Sequence, residues 1–312
     1  MATSALDKSV KAEQAPSFFD RFRSESGILP YMLVLPTFIL IIAVAVYPIL
    51  YSIYLSFLNN PLAASGGTFA GFQNYAAAWQ DAAFRGSISG TLIFSIVSVA
   101  LETLFGMAIA LLINKTFPGR GLVRAAILVP WAFPTIVSAY MWLLMYNDQT
   151  GIISYLLQQM HLLAPGSSLI QTTQGVIIAA IVTDVWKTTP FMALLILAGL
   201  QVIPADLYEA ARVDGSNRWQ QFWQVTIPMV RNTLLIALLF RSLDAIRVFD
   251  LFYAFGKRSV PSMASQSDFN MFAGTNADFA PGVAEAVIIF VIGILISIIF
   301  ISMMRGVFQD ND

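Results

Sequence analysis

Long apolar runs alternate with short polar connections along most of this chain, a pattern typical of proteins with several membrane-spanning helices. A helix needs about 20 apolar residues to cross a bilayer. No charged residue occurs between Leu29 and Phe57, and the later apolar runs contain only isolated charges or short charged clusters. The pattern predicts six spans, at about 29–57, 88–113, 122–146, 174–201, 232–255 and 283–304. We therefore expect an all-α integral membrane protein.

The composition narrows the possible functions. Hydrophobic residues make up 57% of the 312 residues and charged residues 11%, whereas soluble domains average about 25% charged. The chain has no cysteine and a single histidine, His161, so we expect no disulfide and no metal site. A net charge of −1 argues against a nucleic-acid partner. Nucleotide-binding and hydrolase motifs are absent, so we assign no catalytic residue and do not expect an enzyme.

The distribution of Lys and Arg predicts the orientation in the membrane. The N-terminal tail, the second and fourth connections and the C-terminal tail together contain 11 of these residues, whereas the other three connections contain 3. Because cytoplasmic segments carry the excess of positive residues, both termini and the connection 204–228 are predicted to be cytoplasmic. The predicted organisation is a cytoplasmic tail at 1–28, a six-span domain at 29–304 and a second cytoplasmic tail at 305–312.

The connection 204–228 is polar and helix-forming, although it lies between two apolar spans. Pro204 suits a helix start, Asp206 can cap it, and Gly215 is expected to end it. A second helical piece is predicted at 219–225, with Trp219, Phe222 and Trp223 forming an apolar face, before the break expected at Ile227-Pro228. The predicted product is a helix–glycine–helix hairpin with three exposed polar residues: Glu209, Arg212 and Asp214.

The ordered pattern E-A-A, D-G, F and I-P in this connection resembles the EAA loop of ABC importer permeases. Other segments resemble the carbohydrate, or maltose-type, branch of that family, notably Tyr47-Pro48-Ile49, Phe72-Gln73-Asn74-Tyr75, Pro130-Trp131, the run from Asp184 to Phe191, and the run from Asp244 to Asp250. The resemblance implies the type I importer architecture, with a cytoplasmic coupling helix that seats in the ATPase subunit. The coupling residues that it implies are Glu209, Ala210, Ala211, Asp214, Gly215, Phe222 and Pro228.

The resemblance also implies partners and a mechanism. ATP and Mg²⁺ would bind a separate cytoplasmic ABC ATPase dimer, so no cofactor is expected on this chain. The other expected partners are a second permease subunit that is a different chain, an extracytoplasmic sugar-binding protein, a di- or oligosaccharide, and membrane lipid. Transport would proceed by alternating access. Three alternatives stay open: a permease for glycerol phosphate or a polyol, an ion-coupled secondary transporter that uses carboxylates such as Glu102 or Asp184, and a membrane scaffold.

Charged residues within the spans are costly in lipid and need a physical explanation. In the fifth span Arg241, Asp244, Arg247 and Asp250 alternate in sign at a spacing of three residues, and Asp184 and Lys187 repeat this spacing in the fourth. Pairing along each helix is the favoured interpretation.

Glu102 and Glu285 have no partner nearby in the sequence, and Glu285 is expected at the outer membrane edge. A substrate pathway would use polar and aromatic residues of spans four and five: Trp186, Lys187, Asp244, Arg247, Phe249, Asp250 and Tyr253.

Overall fold

The computed structural model describes residues 29–62, 67–272 and 279–309. The predicted N-terminal tail, 1–28, and the last three residues of the C-terminal tail lie outside this description. The chain divides into two units, Met1–Tyr54 and Leu55–Asp312.

The described part of the first unit is one apolar helical rod. Helix α1 (Leu29–Ile41) continues through a single π-helical turn, Ile42–Val46, into α2 (Tyr47–Leu55). The Tyr47 amide closes this turn by donating to the Ile42 carbonyl. Pro48 follows at once, and because proline has no amide hydrogen and clashes with the carbonyl four residues earlier, the wider turn accommodates it without a break.

The second unit opens with a short antiparallel pair, β1 (Leu58–Asn59) and β2 (Thr68–Phe69), in which Leu58 faces Phe69. Its helices are α3 (Gln73–Gln80), α4 (Ala82–Asn114), α5 (Arg120–Ala132), α6 (Thr135–Met145), α7 (Ile152–Gln159), α8 (Thr173–Gln201), α9 (Ala205–Val213), α10 (Arg218–Gln221), α11 (Ile227–Ala245), α12 (Asp250–Phe255), α13 (Met263–Phe272) and α14 (Phe279–Gln309). A 3₁₀ turn, Leu169–Gln171, precedes α8, and a π-helical turn, Phe222–Thr226, precedes α11.

Helices α4 and α8 form the centre of the second unit. A Cβ atom at Gly106 of α4 would lie 2.9 Å from Met192 Cγ and 3.1 Å from the Ala193 amide nitrogen of α8. Only glycine permits this approach, since either distance is shorter than most real Cβ contacts. The buried apolar residues of this region include Met107, Ile113 and Ile196, which form one hydrophobic cluster with residues of α11. The close packing fixes the helices that carry the internal charges.

The third predicted span is broken rather than continuous. Helices α5 and α6 meet at an angle of 86° across a short break. The break falls at Phe133 and Pro134, where extended backbone replaces the helix. Pro134 cannot donate the helical hydrogen bond, and it disfavours helical conformation in the residue before it.

The fifth predicted span, 232–255, is also not a single helix. Helix α11 ends at Ala245 and α12 begins at Asp250, so the chain turns between them. Helix α11 contains Arg231, Arg241 and Asp244, which lower its apolar character. Among the described residues, four helices are long and apolar enough to cross a membrane, or five if the bent α5–α6 pair is one span. The described helices thus give fewer candidate spans than the six predicted.

Candidate functional site: a charged cavity and a surface hairpin

The first limb of the 204–228 connection is α9, which ends as predicted at Gly215. Gly215 has a φ of 83°, its amide donates to the Arg212 carbonyl at 3.1 Å, and the Ser216 amide donates to the Ala211 carbonyl at 2.9 Å. These two bonds form a Schellman motif, which needs a left-handed residue at the position of Gly215. The predicted capping role of Asp206 is wrong. Pro204 occupies the N-cap position, so Asp206 already lies inside the first turn.

The second limb does not stop at Ile227-Pro228, contrary to the prediction. The Asn217 side chain caps α10 by accepting from the Trp219 and Gln220 amides, and the Asn217 amide donates to Gln220 Oε1 in return. The helix then continues through the π-helical turn into α11, and the Ile227 amide donates to the Phe222 carbonyl. As at Pro48, the wider turn accommodates Pro228 without ending the helix. The second limb is therefore continuous with α11.

The hairpin (residues 204–228) presents both charged and aromatic groups at the surface. Glu209 and Arg212 form a 3.5 Å pair while their side chains stay 66% and 63% exposed. Ala210, Asp214, Gly215 and Pro228 are also exposed, and Ala211 and Phe222 are half-buried. The rings of Trp219, Phe222 and Trp223 contact one another, and both tryptophans are largely exposed. A 3.0 Å hydrogen bond between Tyr208 Oη and Thr226 Oγ1 holds the two limbs together.

The second candidate site is a charged cavity of about 140 Å³ among α4, α6, α8 and the region between α11 and α12. Five of the predicted pathway residues line it: Lys187, Asp244, Arg247, Phe249 and Asp250. The other two predicted pathway residues lie outside its lining. Trp186 packs against Trp142 with ring centroids 5.5 Å apart, and Tyr253 stacks between Phe249 and Phe269.

Arg241 is the centre of the ion pairs beside this cavity. Its side chain is 3% exposed and reaches two carboxylates on other helices, Glu102 of α4 and Asp184 of α8. Its Nη2 donates to Glu102 Oε1 at 3.0 Å, and its Nη1 donates to Asp244 Oδ2 at 2.9 Å. Thr188 Oγ1 donates to Glu102 Oε1 at 2.7 Å. We call this group, Glu102, Asp184, Thr188 and Arg241, the arginine cluster.

The structure confirms only part of the predicted pairing along each helix. Arg241 and Asp244 pair as expected, but Asp184 pairs with Arg241 rather than with Lys187. Arg247 donates its Nε to the Leu243 carbonyl at 3.0 Å, and no ion pair joins it to Asp250 among the described residues. Asp184 thus has its ion-pair partner on a neighbouring helix, and Arg247 lies beyond Ala245, where α11 ends, so it does not share a helix with Asp250.

Glu285 has a partner that the sequence did not indicate. Its side chain is fully buried, and Asn270 Nδ2 donates to its Oε1 at 2.8 Å. Asn270 and Gln266 also donate to Asp81 Oδ2, at 3.4 and 3.2 Å. Glu285 therefore takes part in a polar contact between α13, α14 and the start of α4.

The sequence did not reveal the partners of Glu102 or eight of the residues that line the cavity. Thr188 and Arg241 lie 86 and 139 positions from Glu102, so no local spacing connects them. The lining residues that were not predicted as pathway residues are Phe94, Thr135, Asp184, Thr188, Arg241, Ala245, Val248 and Leu251. One signal was available for Thr135, because it follows Pro134, where a proline in an apolar run marks a probable break.

Comparison with known proteins decides the family. Residues 102–307 match the family described as binding-protein-dependent transport system inner membrane component. The chain belongs to this family. It is a permease component of an ABC transport system, located in the inner membrane. The arginine cluster, the hairpin and all of the residues that line the cavity except Phe94 fall within the matched residues.

Relatives of this permease match over nearly its whole length. It is 36% identical to the trehalose/maltose transport system permease protein MalF of Thermococcus litoralis over 280 residues, which cover 89% of this chain and 94% of that protein. It is 38% identical to the trehalose transport system permease protein SugA of Mycobacterium tuberculosis over 300 residues, which cover 95% of each. These relatives are permease subunits and not enzymes.

Solved structures agree on the fold. A bacterial ABC transporter involved in the import of the acidic polysaccharide alginate matches with a TM-score of 0.72 and 21% identity, covering 89% of this chain and 95% of that chain. The alginate transporter in complex with an alginate pentasaccharide-bound periplasmic protein matches with a TM-score of 0.74, also at 21% identity, and covers 89% of this chain and 94% of that chain. The permease therefore has the helical architecture of type I ABC importers.

Proposed function

We propose that this permease imports a neutral di- or oligosaccharide of the trehalose or maltose class, delivered by an extracytoplasmic binding protein. The observation that carries the substrate class is the near full-length similarity to two permeases named for trehalose or maltose. The cavity agrees with an uncharged ligand, because its lining contains three acidic residues and three basic residues: Asp184, Asp244, Asp250, Lys187, Arg241 and Arg247.

Within this proposal the cavity forms part of the sugar pathway. Lys187, Asp244 and Asp250 can exchange hydrogen bonds with hydroxyl groups, and Phe249 offers a ring face to the apolar side of a sugar. Trp186 and Tyr253 are proposed pathway residues beside the cavity rather than in its lining. The pathway would open alternately to the two sides of the membrane.

The hairpin is the proposed docking site for a cytoplasmic ABC ATPase dimer, which would bind ATP and Mg²⁺. Two features support docking: the exposed Glu209–Arg212 pair and the exposed rings of Trp219 and Trp223. Exposed aromatic rings that form a compact group on a surface are typical of protein–protein contacts. The second limb is continuous with α11, so movement of the hairpin would reach Arg241 along one helix. The distribution of Lys and Arg along the sequence supports a cytoplasmic position for both termini and the hairpin.

A second permease subunit, a different chain, completes the proposed importer. Gentle purification from native membranes followed by mass spectrometry is the first test of these partners. Recovery of an ATPase, a second permease and a binding protein is expected. Recovery of the permease alone under conditions that preserve other membrane complexes would contradict the proposal.

Uptake by the purified complex in proteoliposomes tests the substrate. With loaded binding protein outside and ATP inside, we expect accumulation of labelled trehalose or maltose. A permease named for sn-glycerol-3-phosphate is also a relative, 28% identical over 225 residues. Uptake of glycerol phosphate without sugar uptake would replace the proposed substrate class, and binding of all partners without any flux would support a scaffold instead.

A further inference from the structure

We propose that Glu102 is a positioning residue for the cavity, and that it acts by holding Arg241 and thereby the end of α11. The cavity's role in transport rests on the proposed function above, but the positioning itself is a property of this chain. Glu102 does not belong to the residues that line the cavity, whereas Arg241 does. Any effect of Glu102 on the cavity must therefore pass through a neighbour.

The contacts leave the guanidinium of Arg241 little freedom. Glu102 accepts from both its Nε and its Nη2, in the bidentate geometry that holds an arginine most firmly. Asp184 accepts from Nη2 on another side, and all three side chains are at most 7% exposed. Thr188 in turn donates to Glu102 and so fixes the orientation of its carboxylate. One arginine thus joins α4, α8 and α11.

The position of this junction explains why it bears on the cavity. Arg241 lies about one turn before Ala245, where α11 ends. The next residues form the wall of the cavity, including Arg247, Val248 and Phe249. On the far side, Ser262 Oγ donates to the Val248 carbonyl at 2.5 Å. The wall is therefore held at one end by the arginine cluster and at the other by Ser262.

Charge balance distinguishes Glu102 from its partners. Two buried carboxylates, Glu102 and Asp184, face one guanidinium. Replacing Glu102 with glutamine leaves Arg241 paired with buried Asp184 and with Asp244, whose side chain is 69% exposed, so folding should survive. Replacing Arg241 would leave two buried carboxylates without their counter-ion, which is strongly destabilising. Glu102→Gln is for this reason the informative variant.

The natural absence of cysteine allows a direct test. In one variant a cysteine replaces Val248, in the wall held by α11, and in a second a cysteine replaces Thr135, in the wall contributed by α6. The measured quantity is the rate at which each cysteine reacts with a hydrophilic methanethiosulfonate reagent in the purified complex. Hydrogen bonds to charged groups are worth a factor of about ten or more in an equilibrium. We therefore expect Glu102→Gln to raise the labelling rate at position 248 about tenfold while leaving the rate at position 135 unchanged.

Glu285→Gln is the matched control, because Glu285 is equally buried in a helix but contacts Asn270 and does not line the cavity. It should change neither labelling rate. Unchanged labelling at position 248 in Glu102→Gln, or equal changes at positions 248 and 135, would overturn the proposal, because the second result indicates general loosening.

Glu102→Asp provides a second variant should the glutamine variant fail to fold. It keeps the charge but withdraws the carboxylate by one methylene, and it should also raise labelling selectively at position 248. Uptake by the protein with native Glu102 tests the proposed function separately. Absence of sugar uptake together with selective labelling would refute the substrate proposal and leave the positioning role supported.

Discussion

Asn74 illustrates how a single side chain can organise the polypeptide around it. The residue is 4% exposed, and its Nδ2 donates to the carbonyls of Ser56 and Leu58, at 2.8 and 3.0 Å. The neighbouring Tyr75 hydroxyl lies 2.7 Å from Ser56 Oγ, and its ring contacts Phe57 and Phe72. The Phe72-Gln73-Asn74-Tyr75 motif therefore fixes the segment before β1 rather than contacting the cavity.

Asn74→Asp should destabilise the protein, because a carboxylate cannot donate to the two carbonyls. Leaving a buried polar group unsatisfied costs about 1–3 kcal/mol, so the thermal unfolding midpoint in detergent should fall. Asn60→Asp is the control, since Asn60 is exposed and has a φ of 47° that both residue types tolerate. Equal shifts for the two variants would show that the two bonds from Asn74 contribute little.

At the level of secondary-structure elements, the hairpin shows which helix boundaries are controlled by side chains close to them in the sequence. The Schellman motif at Gly215 and the Asn217 cap both follow from side chains within a few residues. The continuation through Pro228 follows from a π-helical turn, which depends on α11 packing into the core through residues such as Val230. The same residue type can thus end a helix or lie within one, depending on tertiary packing.

Gly215→Asp should impair coupling more than folding. Aspartate tolerates left-handed backbone better than most residues, but its charge would be added next to Asp214 at the tip of the hairpin. Gly119→Asp is a matched control, because Gly119 has a φ of 80° against 83° at Gly215 and both sites have open space around a Cβ atom. We expect only Gly215→Asp to reduce co-purification of the ATPase. Equal retention of ATPase by both variants would argue against docking at the hairpin tip.

Glu209→Lys should abolish transport while the protein stays in the membrane. Glu209 is exposed, and its one ion pair among the described residues is the 3.5 Å pair with Arg212, so its loss should change stability by less than about 1 kcal/mol. The reversed charge would act at the docking surface instead. Immunoblots of membranes and sugar uptake measure the two effects, with Asp148→Lys in a different connection as the control. Normal uptake by Glu209→Lys would remove the coupling role.

At the scale of the whole molecule, one continuous helix connects the hairpin to the charged cavity. This helix runs from the Asn217 cap to Ala245 and carries Arg241 near its end. Such an arrangement can transmit displacement over the length of α11, in which each residue adds about 1.5 Å along the helix axis. The proposed importer would use this connection to relate ATPase closure to access to the cavity.

Energy coupling is the property of the whole assembly that separates the proposed importer from an ion-coupled transporter. Depletion of ATP inside proteoliposomes should stop sugar uptake, whereas collapse of the proton gradient at constant ATP should leave it unchanged. Buried carboxylates such as Glu102 already have a partner in Arg241, which agrees with a structural rather than a proton-carrying role. Uptake that persists without ATP and stops without the gradient would favour secondary transport.

The sequence by itself determined the membrane class, the positions of most helices and the hairpin, because these depend on apolar periodicity and on caps within a few residues. Gly215 and the aromatic group at 219–223 could be placed this way. Only the tertiary structure decided that α5 and α6 form a bent pair, that Pro228 lies within a continuous helix, and that Glu102, Asp184 and Arg241 meet. These contacts join residues up to 139 positions apart, and their energy depends on which helices pack together. The sequence determines which positions are charged, but the packing of the helices determines which of these residues form ion pairs.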